Sequence, residues 1–410
     1  MTASAPPPLT DIIIVGGGLA GLVTALMLAH RGHRSTIIDA GTPPADAEAI
    51  RTTTLNPAAR DGLEAIGVLG RLAVTPTPIY TIEVSDQRLK PRRGFAVEDR
   101  LLGWDAADLE TPLAHTARNR DLVEAALACV AENPLITHAI GLTISGFDPR
   151  HPDLGAAAAR LTDSTGEDHA CRLVVACDGG SSRLRSMAGI RTIRRKPGQT
   201  AIVADIRLNR PHQHKAWQRF LEGGPLALMP LDDPMLASLV WSMPDEEAQR
   251  LMDIGDDRFD AALNDAAISP FGDLAVASER HAWPLTLNHA IRPLAERLVL
   301  VGDAAHAIHP LAGQGFNLAM GDIKALADSL DWARDHGSDP GSASVLSRYG
   351  RGRFAEVAAM TMATDGLNLL FGKAPPSLRA AAAMTMSVLD RSPLKQVAMK
   401  FAEGRFSRRG

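Results

Sequence analysis

Long apolar runs are missing from the sequence. No stretch approaches the roughly 18 uninterrupted apolar residues that a membrane-spanning helix requires, so none is predicted. Cysteine is scarce as well: Cys129, Cys171 and Cys177 are an odd number without metal-ligand spacing. That excludes a disulfide framework or a zinc knuckle and fits packing thiols kept reduced in a cytosol. There is no basic surplus, with 43 Lys and Arg against 47 Asp and Glu and a formal net charge of -4. No nucleic-acid partner is expected from such a balance. Internal repeats and low-complexity tracts are absent too. The first residues carry Pro6-Pro7-Pro8 with neither a basic segment nor an apolar core, so they read as a short tail and not as a signal peptide. A cytoplasmic protein is the expectation.

What is present is a chain of 410 residues, 45% hydrophobic and 22% charged, long enough for two to three domains or one large interleaved unit. Asp11-Ile-Ile-Ile-Val15 reads as a buried strand running into Gly16-Gly17-Gly18-Leu19-Ala20-Gly21 and an apolar helix to about Arg31. Gly16, Gly18 and Gly21 form G-x-G-x-x-G. The first glycine permits a tight turn, the second admits a pyrophosphate to the backbone, and the third lets helix and strand pack closely. Ser35-Thr-Ile-Ile-Asp39 follows as a second strand, ending in an acid that can hold the ribose of an adenosine. Strand, glycines, helix, strand and acid in that order make a dinucleotide site. They leave NAD and FAD both open.

Arg51-Thr-Thr-Thr-Leu55 is predicted to open the next helix, with Arg51 either clamping a phosphate or ribityl group or lying on the surface. Arg118-Asn119-Arg120-Asp121-Leu122 is predicted to begin another helix with Asn119 as its N-cap. Arg120 in a first turn opposes the helix dipole, which points weakly to an anion nearby. Arg160-Leu161 and Cys171 to Ala176 flank a turn at Asp163 to Asp168, and the second strand ends in Cys177-Asp178-Gly179-Gly180-Ser181-Ser182-Arg183-Leu184-Arg185. Leu298-Val-Leu-Val301 is a third buried strand, ending in Gly302-Asp303. Beyond it lie His306, His309-Pro310 and Gly313-Gln314-Gly315-Phe316-Asn317, at the start of a helix with Ala319, Ile323, Leu326 and Leu330 on one face. Carboxylates at strand tips sit where open α/β sheets take ligands. His306 and His309 have no third ligand beside them, so no metal site is expected.

With three such sites in order, the chain resembles the single-component FAD-dependent aromatic hydroxylases, the class A flavoprotein monooxygenases. Within them it is most similar to the ubiquinone-biosynthesis hydroxylases of the UbiH/VisC type. The residues that carry this are Arg51-Thr-Thr-x-Leu55, Asn119-Arg120-x-Leu122, Cys177-Asp178-Gly179-x-x-Ser182-x-x-Arg185 and Gly224-Pro225-Leu-Ala-Leu-Met-Pro230-Leu231. Val240-Trp241, Trp283-Pro284-Leu285 and His309-Pro310-x-Ala312-Gly313-Gln314-Gly315-Phe-Asn317-Leu318 complete the match, over about residues 10 to 350. Asp39 stands where a glutamate is usual and Thr54 where an alanine is. Met320-Gly321-Asp322 lacks the arginine common before that aspartate, which puts a structural ion pair in doubt.

The resemblance implies an α/β fold: a Rossmann-like FAD-binding domain interrupted by a mixed or antiparallel β-sheet substrate domain, with C-terminal helices. Residues 1-75, 105-190 and 285-345 are assigned to the first, 76-104 and 191-284 to the second, and 346-410 to the helices. Strand-like runs at 200–206, 225–230 and 237–242 suit that division. It implies non-covalent FAD held by Gly16, Gly18, Leu19, Ala20, Gly21, Asp39, Arg51, Arg120, Asp178, Gly302, Asp303, Gly313, Gly315, Phe316 and Asn317. His309, Pro310, Gly313 and Gln314 form the loop against the flavin ring, and no catalytic base is assigned. Met229, Trp241, Trp283 and Pro284 are the expected substrate pocket. NADH or NADPH binds transiently as reductant, and O2 delivers one oxygen atom through a C4a-hydroperoxyflavin to an electron-rich phenol ring. Other quinone-biosynthesis proteins are expected partners.

From Arg391 on, Lys395, Lys400, Arg405, Arg408 and Arg409 face the lone Glu403, while Leu394, Val397, Ala398 and Phe401 fall at helical spacing. Such an end suits either a peripheral contact with the inner face of a membrane carrying a polyprenylated phenol or a solvated tail docked by its apolar stripe. Two further readings stay open: a hydroxylase of another small aromatic, and a non-catalytic flavoprotein partner in a biosynthetic complex.

Overall fold

The strands Leu298–Leu300, Asp168–Ala176, Thr10–Val15, Ser35–Asp39 and Ile136–Ile140 lie side by side in that order, each parallel to its neighbour. They belong to a computed structural model that describes residues 9–41, 50–87, 100–105, 111–309 and 315–372. Successive residues of the central strand serve opposite faces, as the two-residue period of a strand demands. Ile12 and Ile14 join a core with the helices Leu19–His30, Asn119–Ala131 and Gly315–Asp335 and the start of Ala343–Gly372. Ile13 and Val15 join Val174, Leu184, Ala290 and Leu300 on the other side. Each such fully buried aliphatic side chain contributes about 1.5–3 kcal/mol. Cys171 and Cys177 pack within the same sheet, where burial pushes both thiols up to about 12.

Because these strands are parallel, Val15, Asp39, Ala176 and Leu300 all end at one edge. The three motif loops therefore leave the sheet together. The predicted hairpin is present as Ala159–Asp163 against Asp168–Ala176.

Two local expectations are corrected. Thr52–Leu55 is a strand, paired antiparallel with Ala114–Arg118, and not the opening of a helix. Three consecutive β-branched threonines favour the extended chain. The helix begins later, at Pro57, where the Asn56 side chain accepts from Ala59 N–H at 2.8 Å and proline occupies the first turn. Asn119 is the first residue of its helix and makes no cap; the preceding Arg118 holds that place without a side-chain capping bond.

A second sheet holds the order Leu274–Val276, Gln199–Leu208, Leu236–Pro244, Pro225–Pro230, Lys215–Phe220, Thr81–Asp86 and Arg100–Asp105, with His281–Pro284 also beside Gln199–Leu208. Its pairs are antiparallel except Lys215–Phe220 with Thr81–Asp86. One face packs Ile202, Leu226, Leu239, Trp241 and Met243 against Ala248 and Leu251 of the helix Asp245–Asp253 and Phe259 and Leu263 of the helix Asp256–Ala267. The other face meets the first unit. Thr52 bonds Ser238 at 2.9 Å, Thr54 donates to Met229 Sδ at 3.3 Å, and Arg118 pairs with Asp205 at 2.8 Å.

Trp241 is thus a core residue of the helix-covered face, its ring 6.2 Å from that of Phe259. Trp241→Ala should cost about 3–5 kcal/mol in urea unfolding of the FAD-free protein. FAD affinity should stay within about twofold, since the helix-covered face lies away from the first unit. A large loss of affinity with unchanged stability would place Trp241 at the site after all.

Candidate active site

The Gly-rich turn shows three different reasons for glycine. Gly16 has φ +109°, and a Cβ there would lie 2.5 Å from the carbonyl oxygen of Cys177. At Gly21 a Cβ would come within 1.9 Å of the Gly16 carbonyl oxygen, so the helix rests on the end of the strand. Gly18 differs: its backbone is extended, at φ -70° and ψ 176°, and a Cβ would meet nothing within 4 Å. No atom of the described residues requires glycine there. The requirement fits a ligand that approaches the backbone at the N-terminus of the helix Leu19–His30, where N–H groups and the helix dipole favour a phosphate.

Around this turn the other motifs gather. Gly17 would press a Cβ to 2.4 Å from Asp39 Oδ2, so the carboxylate predicted for a ribose lies against the glycine loop. Asp178 uses Oδ2 to accept from the N–H groups of Arg183 and Leu184, at 2.8 and 3.1 Å, capping a short helix. Its buried Oδ1 has no hydrogen-bond partner among the described residues. Gly302, at φ +62°, turns the chain beside Ala20 and Ala319, 3.3 and 3.4 Å from where its Cβ would be. Asp303 follows on the exposed side of that turn, between the buried Gly302 and Ala304. Arg185 ties two loops together, donating to Ala304 O at 2.7 Å and to Gly180 O at 2.8 Å. Burial pulls its pKa down against the attraction of Asp178. The sequence places Arg185 in the Asp178-Gly179 motif but does not mark it as this strut.

Other predicted residues fall elsewhere. Arg120 lies on the exposed side of its helix and pairs with Glu124 at 2.8 Å, so its placement adds nothing to a cofactor role. The Asn317 amide joins two elements, donating to Thr54 O at 2.8 Å and accepting from Asn56 N–H at 3.0 Å. Gly315 and Phe316 open the helix, with Phe316 packed against the core, as is Leu19. Arg51 sits 5.6 Å from the centre of the Trp283 ring, a cation–π distance, bringing a predicted cofactor residue onto a predicted pocket residue. Pro310, Gly313 and Gln314 lie outside the described residues, as does the stretch 391–410.

His309 is fully buried, and neither ring nitrogen has a partner among the described residues. Burial pushes its pKa down to about 4. His306 is used differently, its Nε2 lying 2.6 Å from buried Asp322. Asp322 also meets Arg353 Nε at 2.7 Å, so the ion pair that the missing arginine put in doubt is present, supplied by another helix. No group of three or more His, Cys, Asp or Glu among the described residues is arranged to hold a metal.

The second sheet divides the expected pocket. Met229 and Trp283 lie on the face toward the first unit, as their registers with Ser238 and Ala201 show. Trp241 and Pro284 lie on the opposite face, Pro284 beside Thr200, whose hydroxyl bonds Asp245. Both are corrected by the same cause: adjacent strand residues point to opposite sides. Missed were the small side chains of the inner face, Ala201, Val203, Ala227, Ser238, Val240 and Ser242. The alternation Ser238-Leu-Val240-Trp-Ser242-Met was the available signal, large residues facing the helices and small ones facing the first unit.

A parallel sheet whose carboxyl edge gathers a Gly-rich turn and three acid-tipped loops, beside a sheet with one small-residue face, defines a dinucleotide-binding protein. The fold is also that of p-nitrophenol 4-monooxygenase PnpA from Pseudomonas putida DLL-E4, at TM-score 0.76 and 17% identity over 98% of this chain and 100% of that one. Klebsiella pneumoniae HpxO, solved with FAD and uric acid, matches at TM-score 0.71 and 16% identity over 96% of each chain. The chain belongs to the family described as FAD binding domain, whose profile matches residues 9–364. Among its relatives are ubiquinone hydroxylase UbiL of Rhodospirillum rubrum, 32% identical over 96% of this chain and 89% of that protein. Another is 3-demethoxyubiquinol 3-hydroxylase of Escherichia coli K12, 31% identical over 96% and 98%. The protein is an FAD-binding enzyme of the monooxygenase class.

Two predictions follow from this geometry. Gly18→Ala has room and an allowed backbone, so the FAD-free protein should melt as before while FAD, titrated by flavin fluorescence, binds at least about tenfold more weakly. Unchanged FAD affinity in Gly18→Ala would remove the phosphate role of that turn. His309, neutral when folded, titrates near 4 against the ordinary 6.5. The unfolded chain takes up the proton first, so its contribution to stability is whole above about pH 6.5 and lost as pH falls toward 4. His115 acts in the same sense, lowered to about 4 by burial and then by Arg60. The urea midpoint of the FAD-free protein should therefore drop between pH 7 and 5, and His309→Asn should shrink that drop.

Proposed function

We propose that the protein hydroxylates the aromatic ring of a polyprenylated phenol in ubiquinone biosynthesis, with FAD as cofactor, NADH or NADPH as reductant and O2 as co-substrate. The observation that carries this is near end-to-end similarity, above 30% identity, to two proteins named as hydroxylases of ubiquinone or its precursor. When bound, FAD supplies the redox chemistry by which one oxygen atom of O2 reaches the ring and the other leaves as water.

The chain's own residues bind, orient and shield. Gly16, Gly18, Leu19, Ala20 and Gly21 take the pyrophosphate, and Asp39 takes the adenosine ribose. Asp178, with one oxygen left open, Gly302 and Asp303 hold the remainder, together with Arg51 and residues 313–317. His309 stays neutral in its dry setting and keeps charge away from the ring loop. We assign the aromatic ring to the inner face from Ala201 to Ser242, beside Met229 and beside Trp283, over which Arg51 lies. Ser242 is buried there with its hydroxyl unpartnered among the described residues. Excluding water at this face protects the activated oxygen from loss as peroxide.

In domain terms, 81–86 and 100–105 join the second sheet, so the substrate unit draws on two separate segments. Thr77–Ile79 pairs with Ala114–Arg118, and Thr192–Arg195 pairs with Leu287–Ala290, so we draw the crossings after Ile79 and after Arg195. No helix among the described residues is long and apolar enough to cross a membrane. The basic residues from Arg391 to Arg409 suit contact with an anionic membrane surface where a prenylated substrate resides.

Purified protein with FAD should oxidise NADH or NADPH several-fold faster with a prenylated phenol than without, and mass spectrometry should find one atom of oxygen-18 in the ring from labelled O2. Equal stimulation by a soluble benzoate would favour a hydroxylase of another small aromatic; no hydroxylated product at all would leave a flavoprotein partner. Deleting 391 to 410 should reduce sedimentation with anionic liposomes, and unchanged sedimentation would remove the membrane contact.

A further inference from the structure

Asp322 is fully buried in the helix Gly315–Asp335, and its two oxygens are divided between different tasks. Oδ2 accepts from the Gly302 N–H at 3.0 Å and lies 2.6 Å from His306 Nε2. Oδ1 accepts from Arg353 Nε at 2.7 Å. The same guanidinium donates to the Leu318 carbonyl at 3.0 Å and bonds Glu356. One carboxylate thus holds both ends of the turn that carries Asp303, and one arginine holds the carboxylate. Burial alone would raise the Asp322 pKa, but His306 and Arg353 outweigh it and keep the carboxyl below the ordinary range.

Arg353 arrives from the helix Ala343–Gly372, and Gly321 is what lets it in. A Cβ at Gly321 would lie 2.5 Å from Arg353 Nη1 and 2.7 Å from both its Cζ and Nη2. A side chain at position 321 therefore points into the space that the guanidinium fills. The two positions compete for one place beside Asp322.

We propose that Arg353 is a positioning residue for FAD binding: through Asp322 it fixes the Gly302–Asp303 turn, in the place that a side chain from position 321 could otherwise fill. This rests on the reading of Asp303 as an FAD contact. Removing one partner of a buried ion pair leaves a charge without compensation. With Arg353 gone, Asp322 loses its guanidinium partner, and the bond to Gly302 N–H no longer has a fixed acceptor. An arginine at 321 can restore the pair only when Arg353 is truncated.

The test uses the full-length chain with Arg353→Ala, Gly321→Arg, the two combined, and Asp303→Asn. FAD affinity is read from flavin fluorescence and folding from the melt of the FAD-free protein. Arg353→Ala should weaken FAD at least about tenfold, Gly321→Arg should do no better because two guanidiniums then crowd one site, and the combination should recover to within about threefold of the parent. If Arg353→Ala does not fold, the combination should restore folding as well as binding. A combination no better than Arg353→Ala, folded or not, overturns the proposal. Asp303→Asn separates the causes: weakened FAD there beside an unrescued combination sinks the role of Arg353 alone. Parental affinity in Asp303→Asn sinks the reading of the turn, and the proposal with it.

Discussion

The helix Leu19–His30 touches the end of the strand Thr10–Val15 so closely that no Cβ fits between them. A Cβ at Gly21 would stand 1.9 Å from the Gly16 carbonyl oxygen. That contact sets the helix N-terminus at the carboxyl edge of the sheet, and everything about the site follows from where that edge is. Parallel pairing brings Asp39, Asp178 and Gly302 to the same edge, each at the end of its own strand. A larger residue at 21 would tilt the helix and move its N–H groups away from the loops they serve.

Around the edge, buried polar groups act as struts. Arg185 links the Gly180 and Ala304 carbonyls, and Asn317 links the strand Thr52–Leu55 to the helix Gly315–Asp335. Buried polar groups of this kind are weak sources of stability, because desolvation offsets most of what their hydrogen bonds gain. Their effect is geometric: each has few satisfactory arrangements, so each fixes the loops it joins. The open groups are as informative as the filled ones. Asp178 Oδ1, Ser242 Oγ and both nitrogens of His309 are buried without partners among the described residues, a cost of about 1–3 kcal/mol apiece where no ligand meets them.

Much of this was legible beforehand where the chemistry is local. The Gly-rich turn, the three apolar strands and the hairpin at Asp163 to Asp168 depend on neighbours in the chain, and their residues declare them. The start of the helix at Pro57 was also locally encoded, by Asn56 and by the threonine run before it, but the arginine before that run drew attention instead. The pocket was half legible. Aromatic residues stood out as pocket walls, whereas the strand period sends Trp241 to the helices and leaves small residues on the face toward the first unit.

What the sequence determined by itself is the dinucleotide-binding edge, because a turn, a helix start and a strand tip are built from residues within a few positions of one another. What only the tertiary structure decided is which distant groups serve that edge. The absence of an arginine before Asp322 suggested a lost ion pair, yet Arg353 supplies it from 31 residues further on, through the gap at Gly321. Attraction between charges depends on separation in space and not along the chain, so folding alone could bring that partner into place.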